Sequence, residues 1–250
     1  MSGARHALVV RGGWAGHQPV ETTDEFIPFL RHHGFSVRVE EDTTAVYADT
    51  EYLRTVDLVL QCMTMTTIER EEVAGLAAAV AGGTGLAGWH GGIADSYRSS
   101  AAYLHLIGAQ FAAHPGKPAG ERVGDRTDND VPHRVTILPA GRDHPITTGI
   151  DDFDLRTEQY WVLADSYLDV LATTTRVDHV DDPWSRPVTS PAVWTRQWGA
   201  GRMFVCTPGH EVRVLRDPNV RTLVERGLLW AARRPEGGTP GRPGTEHHER

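Results

Sequence analysis

Cysteine is scarce in this chain, with two in 250 residues, and that excludes a disulfide framework. Cys62 and Cys206 each sit inside an apolar run, which reads as two reduced, buried thiols. Long hydrophobic runs are missing too: nothing approaches the roughly 18 apolar residues of a membrane-spanning helix. Met1–His6 is short and polar, and Ala7–Val10 is too brief for the apolar core of a signal peptide, so the expected compartment is the cytoplasm. Positive charge is in the minority. Lys and Arg total 25 against 33 Asp and Glu, a net charge of −8. Such a chain has no basic face to neutralise phosphates, so neither nucleic acid nor an anionic membrane surface is an expected partner. No internal repeat is visible.

What remains is ordinary globular composition, 40% apolar and 23% charged, in a chain long enough to bury a large core. Four strand-like segments precede residue 90: the short runs His6–Arg11, Val56–Gln61 and Gly85–Trp89, and Phe35–Glu40, which alternates apolar and polar. Helical patterns lie between them. One spans about Val20 to His33, with Pro28 expected to kink it. Another carries Val73, Leu76 and Val80 on one face, with Thr66 and Glu69 placed as a capping box and Gly82-Gly83 as its end. Strands alternating with helices predict a three-layer α/β fold around a mainly parallel central sheet. Further strands are expected at Arg134–Leu138, Gln159–Val162, Asp169–Ala172, Ala192–Gln197 and Arg202–Thr207, with a long loop over Phe111–Val131. A last helix is punctuated by Asp217 as N-cap and Pro218 at its first position. Residues 1–234 read as one domain and the Gly-, Pro- and charge-rich 235–250 as a disordered tail.

Histidine is plentiful, with 13 in the chain. Most read as surface or structural groups. Three differ in position: His17, His90 and His210 each follow a predicted strand. In an open α/β sheet, ligands bind outside the carboxyl ends of the strands, so parallel strands would bring these three to one edge. Three imidazoles there can move protons near neutral pH or hold a divalent metal such as zinc. The competing reading is three unrelated loop histidines held by hydrogen bonds.

Gly88-Trp89-His90-Gly91-Gly92 has the shape of a strand-to-helix elbow. An elbow enzyme places Ser or Cys at its centre, and here Trp89 and His90 stand there, which argues against covalent acyl chemistry at this turn. Among the seven tryptophans, Trp14, Trp89 and Trp161 lie in or beside candidate site loops, and Trp89 is the one expected to stack on a ligand. Glu158 alone is unremarkable in sequence. Beside a histidine cluster it becomes a candidate general base or metal ligand.

These pieces, taken in order, resemble a known family. Gly16-His17-Gln18-Pro19, Gly88–Gly92, Tyr103–His114, His144–Ile150 with Asp152-Phe153, Glu158 followed by Tyr160, Pro191–Trp194, Gly199–Phe204, Gly209-His210 and Gly227–Ala232 together are similar to the ThuA-like (trehalose utilisation) family. The set spans roughly residues 6 to 233. The resemblance implies a fold like that of class I glutamine amidotransferases, which is flavodoxin-like. It also implies a sugar-related role and a site around His17, Trp89, His90, Glu158 and His210. The chain departs from the family pattern at Thr157, where an acidic residue is usual, and at Gly108-Ala109 in place of a glycine pair.

The first functional expectation is an enzyme acting on a sugar or keto-sugar, trehalose or a related disaccharide, without a cysteine nucleophile. His90, Glu158 and His210 would be its catalytic groups and His17, Trp89, Gly91 and Gly92 its substrate contacts. A metal, if used, would be held by His17, His90 and His210. The alternative is a non-catalytic sugar-binding or regulatory module on an amidotransferase-like scaffold, distinguished by binding without turnover. A third is a protein-interaction scaffold using the loop Phe111–Val131. The expected partner is a small saccharide, with the oligomeric state open and a homo-oligomer one option.

Overall fold

A computed structural model describes residues 5–180 and 182–234, so the tail expected over 235–250 lies outside the described residues. Eleven strands run through these residues: β1 (Arg5–Gly13), β2 (Phe35–Glu41), β3 (Leu58–Thr64), β4 (Gly85–Trp89), β5 (Ala109–Ala113), β6 (Asp130–Ile137), β7 (Phe153–Glu158), β8 (Trp161–Ala164), β9 (Asp169–Arg176), β10 (Val188–Trp198) and β11 (Gly201–Cys206). Nine of them form one sheet in the order β2-β1-β3-β4-β11-β10-β9-β6-β7. The five strands from β2 to β11 are parallel to one another. The four joins from β11 out to β7 are antiparallel. β5 and β8 pair separately as an antiparallel ribbon.

The inner parallel strands β1, β3, β4 and β11 are buried on both faces, which explains their nearly continuous apolar runs, whereas the edge strand β2 is half exposed and alternates. Alternate residues go to opposite sides. Ala7, Val9, Leu58, Leu60, Ala87 and Phe204 face one layer, with Phe26, Leu30, Leu223, Val224 and Leu228 of the helices. Leu8, Val10, Val59, Leu86 and Val205 face the other, with Leu53, Val73, Leu76, Val80 and Leu106. This is the three-layer arrangement expected from the strand–helix alternation.

Several local expectations shift. The helix expected over 20–33 is two short ones, Pro19–Asp24 and Ile27–His32, divided just ahead of Pro28, whose ring would clash with a carbonyl one turn back. The capping box lies three residues later than Thr66–Glu69. Glu69 is the N-cap of Arg70–Ala81, and the Glu72 carboxylate accepts from the Glu69 backbone N–H at 2.9 Å. The stretch Phe111–Val131 is not one loop: β5 and β6 take its two ends and leave 114–129 between them. The strand expected at Gln159–Val162 starts two residues later, as β8, and Gln159-Tyr160 is the break after β7. The final helix is Pro218–Ala231, with the Asp217 carboxylate accepting from the backbone N–H of Asn219 and Val220 at 2.9 and 3.2 Å. No helix among the described residues is long and apolar enough to cross a membrane.

Candidate metal centre

The carboxyl ends of β1, β4 and β11 deliver three histidines to one edge of the sheet. β1 runs into a single 3-10 turn, Ala15–His17, which turns His17 inward. β4 runs directly into His90, whose backbone sits at φ 48 and ψ −142. That conformation is strained for a non-glycine residue. It is held from β11: the His90 N–H donates to the Cys206 carbonyl at 2.7 Å, and the ring Nδ1 donates to the Thr207 carbonyl at 2.8 Å. β11 then continues through Pro208-Gly209 to His210.

Glu158 arrives by a longer route. Two reversals of direction take the sheet from β11 to β9, and two more to β7, so the end of β7 points to the same edge as the end of β11. Five strand spacings separate β7 from β4, which in a flat sheet would be about 24 Å. The Glu158 Oε2 is nevertheless 3.2 Å from the His90 Nε2. The sheet must therefore curl. β10 carries register shifts at Pro191/Val193 and Val193/Trp194. β6 pairs with β9 over only Val135–Ile137, then leaves with β7 over its outer half. Bulges bend and twist a strand in this way.

The result is a cluster of His17, His90, Glu158 and His210, all buried, with one donor atom from each within 4.8 Å of every other. Three of these donors form a nearly equilateral triangle: His90 Nε2, His210 Nδ1 and Glu158 Oε2 are 3.2 Å apart in every pair. Ligands about 2.0–2.1 Å from a tetrahedral zinc lie about 3.3 Å from one another, so the triangle has the size of a coordination face. Protonation agrees. A carbonyl only accepts, so the bond to Thr207 fixes the proton of neutral His90 on Nδ1 and leaves the Nε2 lone pair directed at a carboxylate oxygen. Two acceptors facing each other at that distance are reconciled by a proton or by a metal cation between them. His17 is arranged the same way, with its Nδ1 bonded to the Thr64 hydroxyl at 3.1 Å, leaving Nε2 available.

Supporting groups orient the carboxylate. The Tyr160 hydroxyl donates to Glu158 Oε2 at 2.8 Å. Its ring stacks on Phe111 with centroids 3.5 Å apart, and both rings stand edge-on to His90. Sequence reasoning did not give Tyr160 or Phe111 a role in the site. The spacing Glu-x-Tyr was the available signal, because residues two apart on an extended chain share a face.

The four candidate ligands thus come together, while the other expected contacts do not reach substrate space. Trp89 is 1% exposed and packs on Phe26, so its indole belongs to the core and cannot stack on a sugar. Its parity with Ala87 on β4 accounts for this. Trp14 is the exposed ring, 48% accessible, edge-on to His17 and tilted against His210. Gly91 and Gly92 serve packing. A Cβ on Gly91 would lie 2.4 Å from the His17 ring, and one on Gly92 2.8 Å from the Cys62 Cα. Both cysteines are buried, and burial pushes the Cys62 thiol up to about 12, the range of an unreactive thiol.

The ThuA family model, described as trehalose utilisation, matches residues 6–231. The chain belongs to the ThuA family. No curated protein matches it. Among solved structures, it is similar to a ThuA-like protein from Bacteroides uniformis, with 16% identity, 91% of each chain covered and a TM-score of 0.65. A ThuA-like protein from Parabacteroides merdae is similar at 16% identity, covering 92% of this chain and 90% of that one, with a TM-score of 0.68. A cytoplasmic protein from Salmonella typhimurium LT2 shares the fold at 13% identity, with 91% and 100% covered and a TM-score of 0.59.

In this ThuA-family chain the buried histidines should make stability depend on pH. Burial is the main force holding His17 down to about 2, with His90 and His210 adding repulsion against its cation. Burial likewise lowers His90. The unfolded chain takes up these protons near pH 6.5 and the folded chain does not. The metal-free protein is therefore expected to lose stability as pH falls below about 6.5, by up to about 1.4 kcal/mol per unit for each such histidine. Urea unfolding at pH 7.5, 6.5 and 5.5 measures this, and His17→Gln should flatten the slope. Glu158 pulls the same way. Burial would raise it, but the facing His210 and His90 rings outweigh that and hold the carboxylate well below its usual range.

Proposed function

We propose that this ThuA-family chain is a cytoplasmic enzyme that acts on a saccharide or keto-sugar at a divalent-metal centre formed by His17, His90, Glu158 and His210. The observation that carries this is the triangle of His90 Nε2, His210 Nδ1 and Glu158 Oε2, 3.2 Å on each side, with the far nitrogen of His90 already committed to Thr207. Bound there, a divalent metal supplies Lewis-acid polarisation of a sugar carbonyl or hydroxyl oxygen. The protein's own groups do the rest. Thr207 fixes the tautomer of neutral His90, the Thr64 hydroxyl holds the His17 ring, and Tyr160 holds the carboxylate in place. Trp14, exposed beside His17 and His210, offers an aromatic face for the C–H surface of a sugar ring. His90 occupies the centre of the elbow, where acyl-transfer enzymes carry a nucleophile, so the chemistry proposed has no acyl-enzyme stage.

The test is metal titration followed by turnover. Protein stripped with chelator is titrated with Zn²⁺, Mn²⁺ and Ni²⁺ by calorimetry, and retained metal is counted by elemental analysis. One equivalent per chain is expected, and no stoichiometric binding of any of the three would end the metal reading. The loaded protein is then incubated with trehalose and with keto-disaccharides. Product formation supports the enzyme. Saturable binding without product supports the sugar-binding alternative instead.

A further inference from the structure

A cavity of about 490 Å³ lies outside the metal centre, with none of the four candidate ligands in its lining. Its size falls within the range of small-molecule sites. β6, β7, β9 and the segment between β5 and β6 form its walls. One lining residue, Gln159, directly follows Glu158, so their Cα atoms are about 3.8 Å apart and one short stretch of chain serves both places.

Three cations line this cavity, in a chain whose net charge is −8. Lys117 is the chain's only lysine. Its ammonium is 3.7 Å from the Asp128 carboxylate and 3.4 Å from the Thr127 hydroxyl, both longer than the roughly 2.7–2.9 Å of a strong charge-assisted bond. Arg156 makes a single long bond, 3.4 Å, to the Asp130 carbonyl. Arg176 is 9% exposed; it donates to the Gly116 carbonyl at 2.9 Å and stands 3.7 Å from Asp182. Of the two carboxylates that also line the space, Asp130 is paired with Arg213, and Glu121 is exposed. Val131 and Pro132 add C–H surface. Cations whose donors are incompletely filled among the described residues, the buried Arg176 Nε included, around a partly apolar space match a small molecule that carries both an anionic group and a ring.

We propose that this cavity binds the anionic group of a small sugar derivative, a carboxylate or a phosphate, among Lys117, Arg156 and Arg176, with the ring against Val131 and Pro132. The sugar half of this statement rests on the proposed function, whereas the anion half rests on the cavity alone. The segment 114–129, the middle of the Phe111–Val131 stretch that the sequence offers as a protein-interaction surface, becomes one wall of a ligand site.

The lone lysine supplies the assay. The full chain is acetylated with an amine-selective reagent at constant ionic strength, and the rate at Lys117 is read by peptide mass spectrometry, with the Met1 amine as internal reference. The probes are glucuronate, glucose 6-phosphate, inorganic phosphate and glucose. Glucuronate or glucose 6-phosphate is expected to slow labelling of Lys117 saturably while Met1 is unaffected and glucose has no effect. The stronger of the two identifies the anion as carboxylate or phosphate. Arg156→Gln, at an exposed side chain, should raise the half-protecting concentration by about tenfold, the loss of one charge-assisted bond. Equal labelling with all four probes, or protection unchanged in Arg156→Gln, overturns the proposal. Protection by inorganic phosphate equal to that by glucose 6-phosphate overturns its sugar half. Metal content is measured on the same samples. Protection that survives chelator treatment keeps the cavity independent of the metal centre, so either reading can fail without the other.

Discussion

Replacing His90 with alanine is expected to remove metal retention and turnover together while thermal unfolding stays cooperative. The ring contributes one corner of the 3.2 Å donor triangle, and its Nδ1 bond to Thr207 is what aims Nε2 into the centre. Loss of groups that merely orient ligands costs about 10–100-fold in metal affinity, so loss of a ligand should exceed about 100-fold. The fold should survive because the backbone bonds from His90 to Cys206 and from Ala94 to His90 do not involve the ring. The informative comparison adds His17→Ala, His210→Ala and Glu158→Gln. A shared metal centre predicts parallel loss of metal in all four. A single general base predicts one severe loss of rate, about 10²–10⁴-fold, with milder effects elsewhere and no common metal defect. Four variants that all retain metal and ligand like the parent would leave only the scaffold reading.

The parts of this site that are legible in sequence are those that local pattern decides. Short apolar runs mark β1 and β4, and a strand end places His17, His90 and His210 without any knowledge of long-range packing. Trp89 was misplaced by attention to its neighbours in the elbow. Its parity with Ala87 assigns it to the core side, next to Phe26. Glu158 is different in kind. It reaches His90 only because β10 bulges and β6 parts from β9, which are pairings between segments tens of residues apart. Nothing within the stretch Arg156–Tyr160 encodes that curl, so only the family resemblance pointed to it. The short strand β5 was hidden for a related reason. Its partner β8 begins near residue 161, and the Gly- and Pro-rich sequence after it reads as loop. Capping of Arg70–Ala81 turned on a local competition: Glu69 and Glu72 satisfy the helix start reciprocally, which a Thr66–Glu69 pairing would have placed one turn early.

Gly91→Ala changes no candidate ligand, yet it is expected to come close to His90→Ala in effect. The added Cβ would lie 2.4 Å from the His17 Cε1, 2.6 Å from its Nδ1 and 3.2 Å from the Thr64 Cγ2. Carbon atoms settle at about 3.5–4.0 Å, so the imidazole has to withdraw by about 1 Å or more. That movement breaks the 3.1 Å contact between Nδ1 and the Thr64 hydroxyl and carries Nε2 away from the other three donors. A displacement of that size costs about 100-fold where geometry must be met closely. Backbone strain does not confuse the result, because Gly91 is not among the glycines with positive φ. Gly120→Ala is the matched control: it too lacks positive φ, and a Cβ there meets nothing within 4 Å. The expected outcome is a folded Gly91→Ala protein with metal affinity down by about 100-fold, beside a Gly120→Ala protein indistinguishable from the parent. Calorimetric titration of both decides it. If Gly91→Ala binds metal as tightly as the parent, His17 is not a ligand, and the centre reduces to His90, Glu158 and His210.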